Sequence, residues 1–385
     1  MTLEEFKPIY FMEWFHRMWG RGLGVIFGVP LIAFAASGAL PPFVRPAIIG
    51  AFALGAAQGG VGWWMVKSGL QERAKDDFRE PRVSPYRLAA HLTVAFSIYT
   101  VLAWTTLECM WAASRTAALA APAASAASAL SLPASAGGTA AGLAARLAAM
   151  STLGPWSWAA AGLIGVTSFA GAFVAGNDAG RAYNDWPLYA GQLVPEQIWD
   201  ATLGARNVFE NTATVQFDHR NLAYATVGAV ALLGGRSAKL PAIPPAARTA
   251  VRTMAAAVVA QAGMGIATLM MYVPVSLGAA HQAGALALLT TAVWLRHALT
   301  AGTREATVAA TGVAAKAVPA AAKAAAPAAS ASGAAAAMAL VSAAHPSAGA
   351  AAAATLVGPT GPSPSWGPGP GIFARAAQGF RIRRE

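Results

Sequence analysis

Long apolar runs separated by short polar segments dominate the chain as far as residue 299. A membrane-spanning helix needs about 20 consecutive, mostly apolar residues, and several of these runs approach or exceed that length. Gly and Pro mark several run ends, as in GALPPFVRP and MYVPVSLG. The pattern predicts an all-α, polytopic membrane helical bundle. Its seven predicted spans cover residues 18–40, 47–66, 88–111, 156–176, 221–235, 251–272 and 277–299.

Two segments differ in kind because Ala dominates them, together with Ser, Pro and Gly. They cover residues 112–150 and 303–357, and we predict both to be low-complexity and mostly disordered. The chain therefore divides into a first half-bundle (1–111), an Ala-rich insert (112–150), a second half-bundle (151–301) and a disordered tail (302–385).

Composition supports a membrane protein and excludes several other classes. Hydrophobic residues make up 56% of the chain and charged residues 11%, whereas soluble domains carry about 25% charged residues. The net charge of +11 is spread over loops and helix ends, so it predicts lipid contact and no nucleic-acid partner. Cys109 is the single cysteine, which excludes an intramolecular disulfide and a cysteine metal cage.

Three short motifs recur in the same order in both halves. They are HR, at 16–17 and 219–220; QGGVG and QAGMG, at 58–62 and 261–265; and AAH, at 89–91 and 279–281. The first two recur after 203 positions and the third after 190, and a longer first-half loop accounts for the difference of 13. These matches predict a duplicated bundle with two pseudo-symmetric halves.

The repeat also predicts an unequal number of spans. The second half begins with the span 156–176, whose counterpart 203 positions earlier would fall before Met1. The first half thus has three of four expected spans, and its first helix is missing. We therefore expect the chain to be a shortened form of a longer protein, built from parallel repeats.

Four of the six histidines lie near the starts of the first, third, fifth and seventh spans. They are His16, His91, His219 and His281. Because these spans run in one direction, all four should lie near one membrane face. Paired imidazoles inside a bundle suit the iron of a porphyrin, which takes axial nitrogens on its two faces. Zinc would need further ligands that the chain does not supply nearby.

Six segments closely resemble the heme A synthase family of mitochondria and proteobacteria (Cox15/CtaA). They are MEWFHRMWGRGLGVIFGVP, GWWMVKSGL, PRVSPYRLAAHL, GAFVAGNDAGRAYNDWP, RNVFENTATVQFDHRNL and MYVPVSLGAAHQAGALALLT. The resemblance covers residues 1–299 apart from the Ala-rich insert. It implies eight transmembrane helices in two four-helix halves, with a helix upstream of the present start.

The resemblance implies an oxidoreductase that acts on a CH group. Such an enzyme oxidises the C8 methyl of heme O to a formyl group and so gives heme A for cytochrome c oxidase. His219 and His281 would hold a heme b cofactor, and His16 and His91 would lie at the substrate heme. The essential glutamate of the family matches Glu13.

The charged residues beside these histidines have alternative interpretations. Glu13 shares a helix face with His16, three residues on, but also stands four residues before Arg17, with which it could form an ion pair. Gln216 occupies the place of Glu13 in the second half. Arg17 and Arg220 follow their histidines and would contact heme propionates or anchor their helices at the headgroups.

Polar residues around the fifth span suggest a lid over the heme face, or a loop held by Asx-turns. They are Asp178, Tyr183, Asn184, Trp186, Asn207, Glu210 and Asn211. The resemblance also implies the mitochondrial inner membrane, a ferredoxin-type electron donor, and contacts with heme O synthase and with cytochrome c oxidase assembly factors. A homo-oligomer is left open. The alternative functions are a diheme electron-transfer cytochrome b and an inactive heme-binding assembly factor.

Overall fold

The computed structural model describes residues 2–70, 82–120 and 139–325. This part of the chain contains eight α-helices and no β-strand. The helices are α1 (Leu3–Ala36), α2 (Arg45–Gly69), α3 (Pro85–Ala120), α4 (Ala140–Gly176), α5 (Asn207–Glu210), α6 (Thr212–Ala238), α7 (Pro245–Met270) and α8 (Val275–Ala325). The predicted all-α polytopic fold is confirmed.

Five of these helices are long and apolar enough to cross a membrane, namely α1, α2, α3, α4 and α7. The other two predicted spans fall within α6 and α8, which are long helices outside that group. The chain is therefore a multi-pass membrane protein. The count of seven spans stays a prediction.

The helix α1 begins well before the predicted span because a polar first turn stabilises it. Thr2 is the N-cap: its hydroxyl accepts a hydrogen bond from the Glu5 amide at 3.3 Å, and its own amide donates to Glu5 Oε2 at 2.8 Å. This reciprocal arrangement satisfies backbone amides that the first turn leaves without partners. The helix therefore extends before residue 18, where the membrane span was predicted to begin.

The Ala-rich insert is helical at both of its ends, which corrects the prediction of disorder there. α3 continues to Ala120 and α4 begins at Ala140, after the N-cap Thr139. Leu143, Ala149 and Met150 are almost fully buried. α8 likewise continues to Ala325. Ala has the highest helix propensity of all residues, so a helix that leaves the membrane can continue through such a segment. Residues 121–138 and 326–385 lie outside the described residues.

The main core lies in the second half, between α4, α6, α7 and α8. Its most deeply buried members include Leu153, Leu233, Met254 and Leu295, each without measurable exposure. α4 packs against α6 and α3, α2 packs against α3, and α6 packs against α7. α1 packs against α2 and exposes many apolar side chains, as a helix surrounded by lipid would.

The loop between α4 and α6 is held by two asparagines, Asn207 and Asn211. Asn207 is fully buried, and its amide donates to the carbonyls of Asp200 and Gly204, each at 2.7 Å. Its Oδ1 accepts from the Asp200 amide at 2.8 Å and from Asn211 at 2.9 Å. Asn211 in turn caps α6 by accepting from the amides of Ala213 and Thr214. The loop is thus a fixed structure that leads directly into the helix carrying His219.

Asn207→Ala should destabilise this loop strongly. The change removes four hydrogen bonds and leaves buried backbone groups without partners, at a cost of about 2–4 kcal/mol. We expect a lower thermal unfolding midpoint in detergent and faster proteolytic cleavage between α4 and α6. Asn221→Ala is the control, because Asn221 is exposed and its amide donates only to Phe217 within α6. Equal effects of the two changes would contradict the role given to Asn207.

Candidate functional site

The first histidine pair joins α1 to α3. The ring centroids of His16 and His91 lie 6.5 Å apart at an interplanar angle of 68°. Gln58 of α2 donates to the His91 carbonyl at 2.9 Å, and its amide nitrogen lies 3.5 Å from His91 Nε2. Gly62, one turn further, lets the imidazole approach the helix, since a Cβ there would stand 3.0 Å from His91 Cε1.

The second pair repeats these contacts with different residues. Gln261 donates to the His281 carbonyl at 2.9 Å, and a Cβ on Gly265 would stand 2.8 Å from His281 Cε1. Gln58 and Gly62 are the residues 203 positions earlier, so the sequence repeat is also a repeat of contacts. These glutamines and glycines belong to the motifs noticed in the sequence, but their position against the histidines was missed. The recurrence of the motif was the signal that could have found them.

The His219 ring is held by contacts with α4. Its Nδ1 lies 3.1 Å from the Thr167 carbonyl, and a Cβ on Gly171 would stand 3.1 Å from its Cε1. A carbonyl accepts only from a protonated nitrogen, so Nδ1 carries the hydrogen and Nε2 keeps its lone pair. Metal-binding histidines are commonly oriented by a hydrogen bond of this kind. His219 and His281 are close enough to interact electrostatically.

The spacing of the first histidine pair fits one iron with axial imidazoles, and the second pair repeats its glutamine and glycine contacts. The buried Nδ1 atoms of His91 and His281 have no hydrogen-bond partner among the described residues. A bond from a metal ion to an imidazole nitrogen is about 2 Å long, so rings 6.5 Å apart leave room for one iron between them. The described residues contain no group of three or more His, Cys, Asp or Glu suited to a bare metal ion.

Glu13 forms an ion pair with Arg17 on α1, and both side chains are about half exposed. This is one of the two arrangements that the sequence left open. Glu13 also lies one helical turn before His16, so the pair stands beside the first imidazole pair. The geometry therefore leaves a catalytic role for Glu13 as a prediction.

The equivalent residues of α6 are buried and hold the loop between α4 and α6. Gln216 donates to the carbonyl of Tyr183 at 3.0 Å and accepts from Arg220 at 3.2 Å. Arg220 donates to the carbonyls of Tyr183 and Leu188, each at 3.0 Å, and its guanidinium lies 4.1 Å from the centre of the Tyr189 ring. Arg220 is therefore not an anchor at the lipid headgroups. Its contact with a heme propionate, like that of Arg17, stays a prediction.

Several of the predicted lid residues tie the loop to the histidine end of the bundle. Asp178 pairs with Arg82 before α3, and Glu210 accepts from Tyr86 at 2.9 Å. Asn184 donates to the Leu269 carbonyl of α7 at 2.8 Å, and Trp186 donates to Tyr224 at 3.0 Å. The backbone amides of Ala190 and Gly191 hold the pKa of the Asp185 carboxyl below its ordinary value. The loop thus contacts the start of α3, the end of α7 and α6.

One family model matches most of the chain. Residues 1–293 match COX15-CtaA, described as a cytochrome oxidase assembly protein. The chain belongs to the COX15-CtaA family. The resemblance of the six sequence segments is thereby confirmed.

Curated relatives from plants, bacteria and animals are similar over 78% of the chain. Heme A synthase COX15 of Arabidopsis thaliana is 44% identical over 299 residues, and this chain spans 60% of its length. Heme A synthase of Rhodospirillum centenum is 43% identical, with 70% of its length covered. Heme A synthase COX15 of Homo sapiens is 40% identical, with 66% covered. No solved structure matches the chain.

Gly265→Ala should weaken heme binding in the second half. The new Cβ would stand 2.8 Å from His281 Cε1, closer than real contacts allow, so the ring must move. Loss of the contacts that orient a metal-binding side chain typically lowers metal affinity 10–100-fold. We therefore expect at least a tenfold loss of heme affinity, measured by a heme titration followed by absorbance. Gly263→Ala on the same helix has open space around it and should bind heme normally. Normal binding by both variants would refute this role for Gly265.

Proposed function

We propose that the protein is a heme A synthase, an oxidoreductase that converts the C8 methyl of heme O to a formyl group. The product, heme A, would serve cytochrome c oxidase. Membership of the COX15-CtaA family and the names of the relatives support this assignment. The observation that carries it is the presence of two histidine pairs with matching glutamine and glycine contacts, of which one has an acid nearby and the other an amide.

The second pair, His219 and His281, is proposed to hold heme b. The bound heme would supply one-electron chemistry. Thr167 orients the His219 ring so that Nε2 faces away from its hydrogen-bonded side. Gln261 restrains the backbone at His281, and Gly265 gives the ring its place. The loop closed by Gln216 and Arg220 covers this end and limits the access of water.

The first pair, His16 and His91, is proposed to hold the substrate heme O. Glu13 would act beside it, because its ionised carboxylate can accept a proton at Oε1 or Oε2 whereas the amide of Gln216 cannot. Arg17 forms an ion pair with this carboxylate. His16 and the Glu13–Arg17 ion pair are exposed on α1, which suits a substrate heme that must enter and leave. His219 and His281, both half-buried, suit a resident group.

The remaining assignments follow from the same proposal. We place the protein in the mitochondrial inner membrane, with a ferredoxin-type electron donor. Heme O synthase and cytochrome c oxidase assembly factors would be its neighbours, the first as the source of substrate. The many exposed apolar side chains of α1 are consistent with contact to lipid.

A diheme electron-transfer cytochrome is the second candidate. The near-identical contacts of Gln58 and Gln261 favour it, since two equivalent sites suit two resident hemes. The difference between Glu13 and Gln216 favours the synthase, because electron transfer alone needs no acid in one half. Both candidates keep the bis-histidine sites.

Extracting heme from the purified protein separates the two candidates. The protein would be produced together with heme O synthase in cells that make no heme A, and the hemes separated by chromatography. We expect heme b with heme O or heme A, and heme A in the cell membranes. Heme b alone, with no heme A formed, would exclude the synthase and support the cytochrome.

A further inference from the structure

A cleft of about 460 Å³ opens between α4 and α8, at the end of the bundle away from the histidines. Arg296 lies 15 residues after His281 on α8, about 22 Å along the helix axis at 1.5 Å per residue. The facing wall is formed by residues 147–154 of α4. Ligand pockets commonly measure about 300–1,000 Å³, so the volume is sufficient for a small group. None of its lining residues belongs to the candidate heme site.

Arg296 brings a positive charge to this cleft without a matching carboxylate. One guanidinium nitrogen donates to Ser157 Oγ at 3.0 Å, and the group lies 4.5 Å from the centre of the Trp158 ring. Its Nε is buried with no hydrogen-bond partner, and no Asp or Glu of the described residues forms an ion pair with it. A partly buried cation without a counter-ion is costly, so this cleft favours an anion.

The helix segments around the cleft contain no acidic side chain that could be the counter-ion of Arg296. Residues 140–176 and 219–304 include no Asp or Glu. Glu108 of α3 and Glu305 of α8, which lie at this end, are already engaged. Glu108 accepts from His297 and Arg304, and Glu305 accepts from Trp111 at 3.1 Å. The counter-ion of Arg296 must therefore come from outside these segments.

The aromatic and basic side chains around the cleft are of the kinds typical of a membrane–water interface. Four Arg–Trp contacts gather at this end, joining Arg236 to Trp156, Arg296 to Trp158, and both Arg115 and Arg304 to Trp111. Trp residues concentrate at the headgroup level, where Arg side chains also meet lipid phosphates. α4 has 37 residues, a length of about 55 Å, so its first turns extend beyond the roughly 30 Å of hydrocarbon.

We propose that this cleft binds a phosphate group through the Arg296 guanidinium. An anionic phospholipid or a soluble phosphate could supply that group. The apolar walls, formed by Leu147, Met150 and Leu299, fit the glycerol and acyl parts of a lipid and favour the first source. A charge-assisted bond from arginine to phosphate is among the stronger polar contacts in proteins.

Two neighbouring residues of α4 provide a matched test. Ser151 and Thr152 are both exposed, and each hydroxyl donates to the Ala148 carbonyl, at 2.9 and 2.8 Å. Ser151 lines the cleft and Thr152 does not. Ser151→Asp places a negative charge beside the bound phosphate, whereas Thr152→Asp places the same charge outside the cleft. Ser151→Asn controls for size without charge.

The full chain in detergent would be titrated with phosphatidylglycerol, with phosphatidylcholine and with inorganic phosphate, and binding followed by native mass spectrometry and thermal unfolding. We expect phosphatidylglycerol to bind at least tenfold more tightly than phosphatidylcholine. Ser151→Asp should weaken its binding about tenfold through charge repulsion, and Thr152→Asp and Ser151→Asn should not. Arg296→Gln should give the same loss, which keeps the test decisive if Ser151→Asp fails to fold.

Binding of inorganic phosphate that Ser151→Asp weakens, without any preference for phosphatidylglycerol, would support the phosphate site and identify a soluble source. Equal binding of the two lipids together with no binding of phosphate would overturn the proposal. So would equal losses in Ser151→Asp and Thr152→Asp.

Discussion

Replacing His219 or His281 by alanine is expected to abolish the low-spin heme b spectrum of the protein. Loss of one axial nitrogen leaves the iron five-coordinate, which changes its spin state and weakens its binding. The expectation rests on the orientation of His219 by the Thr167 carbonyl and on the contacts of Gln261 and Gly265 with His281. Absorbance spectra of the reduced protein, normalised to protein concentration, measure the effect.

His297→Ala is the control for this experiment. His297 lies on the same helix as His281 and is buried, but its Nε2 pairs with Glu108 at 3.1 Å. The His297→Ala change should lower the stability of the protein without changing the heme b spectrum. An unaltered spectrum in His219→Ala or His281→Ala, or the same spectral loss in His297→Ala, would defeat the assignment of the second pair.

The membrane fold and the correspondence between the two halves could be predicted from the sequence because both depend on local or repeated patterns. Long apolar runs indicate helices whatever their neighbours are. A repeat of 203 positions identifies His16 and His219 as equivalent residues of the two halves without any knowledge of contacts. Helix ends were predicted less well, since the Thr2 cap and the helical Ala-rich segments are not visible to hydropathy.

The position of Arg220 could not be predicted because it depends on contacts that are distant in sequence. Its guanidinium reaches carbonyls 32 and 37 positions earlier, after the loop has folded back over α6. Nothing in the HR motif distinguishes it from Arg17, whose side chain is exposed. The two arginines share a motif and a helix position, but Arg220 has contacts with the loop that Arg17 does not share.

Glu13→Gln is expected to abolish the conversion of heme O to heme A while the bundle stays folded and heme b stays bound. The second half already shows that glutamine is accommodated at this place, since Gln216 accepts a hydrogen bond from Arg220 at i+4. The variant should therefore keep the contact with Arg17 as a neutral hydrogen bond, and lose only the ionised carboxylate. A loss of general acid–base function typically lowers a rate by about 10²–10⁴-fold.

Two further variants separate chemistry from the ion pair itself. Glu4→Gln removes the neighbouring Glu4–Lys7 ion pair of α1 and should leave activity unchanged. Arg17→Gln removes the same ion pair as Glu13→Gln but keeps the carboxylate, so it should retain much more activity than Glu13→Gln. Heme A formed per mole of bound heme b, measured by chromatography, is the readout. If Arg17→Gln and Glu13→Gln lose activity equally, Glu13 acts by positioning α1; if Glu13→Gln still forms heme A at the normal rate, Glu13 has no part in the reaction.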